Sequence, residues 1–92
     1  MISNPVVVGK IEGVTSTDSF SMVITNGKFG RNDYVEVVHE GRPFLLMIKE
    51  VKRSGDKLIG SCVVVGPSPK TPFPPGSEVH MASDETIRRG LG

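Results

Sequence analysis

One cysteine, Cys62, stands alone in 92 residues, so no internal disulfide can form and a small fold stapled by bridges is excluded. A dominant charge is also missing. Lys and Arg number 11 against 10 Asp and Glu, a formal net charge of +1, which gives no global attraction to nucleic acid or anionic lipid. The opening MISNPVVVGKIEGV has no basic segment ahead of a long apolar run, so it reads neither as a signal peptide nor as a membrane span. With the lone cysteine, this places the protein in the cytoplasm. Aromatic residues are scarce at 5%, too few to interleave with basic residues as base-stacking platforms. Helical periodicity is absent before Asp84.

What is present is strand rhythm in a chain long enough for one domain of modest stability, since a fold of this size buries only about two-thirds of the surface its unfolded form exposes. Val6–Val14 reads as a first strand bending at Gly9 and Gly13. Residues 15–18 are turn chemistry. In SFSMVIT, Phe20, Met22 and Ile24 alternate with more polar neighbours and mark a half-buried strand. A loop follows in which Asn26-Gly27 and Gly30 are suited to positive backbone angles. YVEVVH and RPFLLMIKEV form a hairpin across Glu40-Gly41, and RSGD turns the chain into KLIGSCVVVG. Such spacing predicts a small all-β antiparallel barrel of about six strands, closed or partly open, with a short C-terminal helix.

Composition shifts at Gly66. The segment 66–76, GPSPKTPFPPG, holds five of the seven prolines and reads as a crossover outside the core. Residues 77–82 alternate as a last strand. Ser83 then caps a helix with Asp84 and Glu85 in its first turn, Arg88 and Arg89 late, and Gly90 as its stop. A helix this short is marginal alone, so its support must come from outside it.

No phosphate-binding G-x-x-x-x-G-K-[ST] loop occurs, since Gly9-Lys10 and Gly27-Lys28 run on into Ile11 and Phe29. His39, Cys62 and His80 are scattered singly, without the close spacing of zinc ligands, and no Ser-His-Asp context or carboxylate pair stands out. No catalytic, cofactor or metal residue is assigned. The local charge bias lies at Arg42–Lys57, with five cations against two acids, and fits either phosphate contact or a solvated hairpin whose charges guard a strand edge. Phe29, beside Lys28 and Arg31, is either an exposed contact or a loop anchor.

The segments VVGKIEGVTSTDSFSMVI, GRNDYVEVVHEGRPFLLMIKEV and TPFPPGSEVHMASDETIRRGLG together resemble the N-terminal HAS-barrel of archaeal HerA DNA-translocating ATPases, across essentially the whole chain. The resemblance implies a barrel over 1–82 and a connector helix over 83–92 leading to a motor domain, so that the terminus is loosely held here. It implies a non-catalytic module of a hexameric DNA helicase or translocase that processes double-strand-break ends, supports ring assembly and docks a NurA nuclease. DNA would be handled mainly by the motor. Phe29, Arg31, Arg42, Lys52, Arg53 and Phe73 are the candidate partner-interface residues. The alternative is a free-standing OB- or SH3-like nucleic-acid-binding barrel. A small enzyme finds no support in the motifs.

Overall fold

The computed structural model describes residues 7–14, 18–27 and 29–92. Val6, the turn at 15–17 and Lys28 lie outside the described residues. Six strands, β1 (Val7–Val14), β2 (Ser19–Ile24), β3 (Tyr34–His39), β4 (Arg42–Ser54), β5 (Lys57–Val65) and β6 (Glu78–Met81), precede one helix, α1 (Asp84–Leu91). The strands close into an antiparallel barrel in the order β1-β2-β5-β4-β3-β6, with β6 pairing back onto β1. Closure gives every strand two neighbours, although among the described residues β6 meets β3 at only two positions, Val35–Met81 and Glu36–His80, and β4 beyond Ile48 pairs with β5 alone.

The alternation that predicts the strands also fills the interior. Phe20, Met22 and Ile24 of β2 point inward with Val35 and Val37 of β3 and Leu46 and Ile48 of β4, joined by Val8, Ile11, Cys62 and Val79. β1 slips register between Val7 and Gly9 against β6, and between Ile11 and Gly13 against β2, so the bend falls at its glycines. A third irregularity between Ile48 and Glu50 turns Val51 back toward the core, although Glu50 beside it is exposed. The β3–β4 hairpin turns on Glu40 (φ 53°) and Gly41 (φ 76°), two consecutive positive angles that suit the right-handed twist of the flanking strands. In the loop before β3 the left-handed positions are Gly27 and Asn32 rather than Gly30. Gly30 instead donates its backbone N–H to Asp33 Oδ2 at 2.7 Å and closes the loop on itself.

The two long connections cap opposite ends of the barrel. Residues 25–33 pass from β2 to β3 and are tied to β4 by Asn32 N–H donating to the Ile48 carbonyl at 2.7 Å and Ile48 N–H to the Asp33 carbonyl at 2.8 Å. Residues 66–77 cross the other end, from β5 to β6, over the β3–β4 hairpin. This segment does not lie outside the core as its prolines suggest. Phe73 is 1% exposed, its ring 4.3 Å from that of Phe20 and 5.7 Å from that of Phe44. Prolines stiffen the path without forbidding one side chain from turning inward, and burying a phenylalanine is worth about 2–3 kcal/mol.

The helix begins as the sequence predicts. Ser83 Oγ accepts from the Thr86 N–H at 3.2 Å, the acids sit in the first turn, and Glu85 pairs with Arg89 one turn on. Its stop lies elsewhere, because the helix runs through Gly90 and ends with the Gly92 N–H donating to the Arg88 carbonyl. The helix that the sequence leaves for a neighbouring domain rests on this barrel at three points. Ser83 N–H donates to Glu36 Oε1 of β3 at 2.8 Å, Thr86 is 5% exposed, and Gly90 lies against the Leu45 side chain. A Cβ on Gly90 would collide with Leu45, and one on Gly66 would sit 2.7 Å from the Gly90 carbonyl, so the close approach needs both glycines.

Candidate partner-binding groove

β4 is apolar on both faces at its start. Leu46 faces the interior, while Leu45 faces out and is buried under α1. The helix covers that outer face only in part. Beside it, a cleft of about 340 Å³ runs between Arg42, Pro43, Phe44 and Leu45 on one side, Val65 and Pro67 on another, and Thr86, Arg89 and Gly90 of the helix. An adjoining cleft of about 270 Å³ shares Arg42, Phe44 and Pro67 and extends past Glu40, His39, Ser68 and Lys70. The two form one trough with an apolar floor and cations along its rim.

The wall at its far end is fixed by a small polar network. Thr71 Oγ1 donates to Glu40 Oε1 at 3.2 Å, which leaves the lone pairs of Thr71 Oγ1 to accept from His39 Nε2 at 3.0 Å. His39 also stands 3.2 Å from Glu40 Oε1 and meets the Phe73 ring edge-on at 5.3 Å. The crossover is thereby fastened to the β3–β4 turn by polar bonds outside and by an aromatic ring inside. The groove is built before anything enters it.

The sequence-predicted contact residues do not gather in one place. Arg42 lies at the centre of the trough. Arg31 lines a separate, wider cleft of about 580 Å³ with Gly30, Lys49, Glu50 and Val51. Lys52 and Arg53 are exposed at the far end of β4, on the order of 30 Å from Arg42 along an extended strand, and Lys52 Nζ is 3.8 Å from Glu50 Oε2. Phe73 is a core residue in this structure and offers no surface for contact. Phe29 folds back against the core and over Gly27, the loop-anchor alternative, and remains half-buried.

Apart from Arg42, the residues lining the trough are missing from the sequence-predicted contact set, among them Phe44, Val65, Pro67, Lys70, Thr86 and Gly90. Two signals bear on part of the lining. The unbroken FLLMI run shows that β4 is covered on both faces, and the small residues Thr86 and Gly90, four apart, give α1 a face that can approach closely.

Cys62, His39 and His80 occupy the interior, the crossover end and the outer face of β6 respectively, and among the described residues no group of three metal-binding side chains converges. Burial pushes the Cys62 thiol up to about 12, which keeps it protonated and unreactive at neutral pH. Among the described residues no helix is long and apolar enough to cross a membrane. Comparison with known proteins returns no match: no family model, no curated protein and no solved structure matches the chain.

Proposed function

We propose that this barrel is a non-catalytic interaction module, the HAS-barrel of a HerA-type DNA translocase acting in double-strand-break end processing, where it supports ring assembly and docks a NurA-type nuclease. The observation that carries the reading is the closed six-stranded barrel with its short helix laid beside an apolar, cation-rimmed groove. With each strand already flanked by two others in the ring, partners are met mainly by side chains on outer faces and connections. The test is capture of the cognate nuclease by the full-length protein with and without residues 1–82. Capture that survives the deletion unchanged overturns docking by the barrel. Ring assembly is read in parallel by sedimentation, and rings that form equally well without the barrel remove its assembly role.

The second reading, a free-standing nucleic-acid-binding barrel, is favoured by the opposite end, where Arg31 and Lys49 flank the wider cleft and Lys52, Arg53 and Lys57 are exposed nearby. It requires binding of the chain to single- or double-stranded oligonucleotides that weakens steeply with salt. Binding that is absent at low salt removes it.

A further inference from the structure

We propose that the trough beside α1 recognises an extended acidic segment of a partner protein, seating one of its apolar side chains among Phe44, Val65 and Pro67 while its carboxylates meet Arg42 and Lys70. The proposal rests on reading the barrel as an interaction module and on no particular family.

Three observations converge on this occupant. The first is continuity. The two clefts share Arg42, Phe44 and Pro67, so the floor is a trough for a chain rather than an enclosed hole for a small molecule. The second is charge. The residues lining the rim include Arg42, Lys70 and Arg89 against the carboxylate of Glu40, which accepts from Thr71. Arg89 is held by Glu85, but neither Arg42 nor Lys70 pairs with a carboxylate among the described residues. Two cations flanking an apolar floor complement an apolar residue between acids, and the guanidinium of Arg42 suits bidentate carboxylate contact. The third is pre-organisation. Prolines 43 and 67 have fixed backbone angles, and the helix wall is pinned by the Ser83–Glu36 bond, so little of the site must be ordered on binding. A nucleic-acid strand fits less well, because among the described residues Phe44 and His39 are the only aromatic rings lining the trough, too few to stack a run of bases.

The test uses the whole chain, a fluorescein-labelled peptide with a leucine pair flanked by aspartates, and a twin in which lysines replace the aspartates. The aspartate peptide is expected to bind saturably and more weakly as salt rises, shifting the amides of Phe44, Leu45, Val65 and Gly90. Arg42→Glu and Lys70→Glu, both at exposed positions, are each expected to weaken it about tenfold or more. Equal binding of the twins, no binding, or variants without effect overturns the proposal. Displacement of the peptide by a single-stranded oligonucleotide that shifts the same amides replaces the occupant with nucleic acid. Concentration-dependent self-association through those amides replaces it with a second copy. If nuclease capture still depends on the barrel while the peptide fails, the groove is wrong and the interaction module stands. If the peptide binds as expected while capture ignores the barrel, the groove stands without that partner.

Discussion

Each end of the barrel is closed by an irregular connection containing one phenylalanine, and the two rings end up in different places. In the loop at 25–33, Phe29 folds over Gly27 and stays half-buried, while the cleft beside it is wide and bordered by Arg31, Lys49 and Glu50. In the crossover at 66–77, Phe73 is driven fully into the core against Phe20 and Phe44, and Pro67 of the same segment lines the groove. A proline-rich connection is here both a plug and a wall. Stiffness explains the pairing: a segment that cannot relax holds a ring inward at one position and a groove wall outward six residues earlier.

The largest expected effect is therefore at the plug. Phe73→Ala leaves a cavity among Phe20, Phe44 and His39 and is expected to cost about 3–5 kcal/mol in urea unfolding. Phe29→Ala, removing a ring already half in solvent, is expected to cost about 2 kcal/mol or less. Equal losses would erase the distinction between the two ends.

The thiol of Cys62 sharpens the comparison along the pH axis, because Cys62 pairs across strands with Phe20, on which the Phe73 ring rests. Above the ordinary value of 9.0 the unfolded thiol loses its proton while the native one, at about 12, keeps it. The native state then binds more protons, so stability holds below pH 9 and falls as pH rises from there toward 12. The loss is about 1.4 kcal/mol per pH unit in that window. Cys62→Val should lack this component of the alkaline slope, and Phe73→Ala, by letting water near Phe20, should flatten it while Phe29→Ala leaves it unchanged. The smallest effect belongs to the outer fastening. Thr71→Val removes the bonds to His39 and Glu40 at an exposed position and is expected to cost about 0.5–1 kcal/mol, with faster amide exchange confined to the crossover.

The barrel was legible in the sequence because its signals are local. Phe20, Met22 and Ile24 alternate within one strand, and Glu40-Gly41 sits between two such runs. The helix start was legible at Ser83 for the same reason, its cap and first-turn acids lying within a few residues. Phe73 was not, because prolines remove the pairing pattern that reveals a strand and a solitary ring has no period. Nor was the end of α1, since Gly90 has the chemistry of a stop and only the Leu45 side chain beneath it shows that the residue is there for closeness. The groove was the least legible feature. Its walls come from residues 42–45, 65–67 and 86–90, segments brought together by closure of the barrel, and of these only Arg42 is a contact residue that the sequence reading names.

The claim that the crossover side, rather than the loop side, is the working face is tested most directly by amide chemical shifts of the chain titrated with the nuclease proposed as its partner. Shifts or line losses gathered on Phe44, Leu45, Val65, Thr86 and Gly90, with Gly30, Arg31, Lys49 and Val51 unmoved, are the predicted result. Changes confined to Gly30, Arg31, Lys49 and Val51 would contradict it.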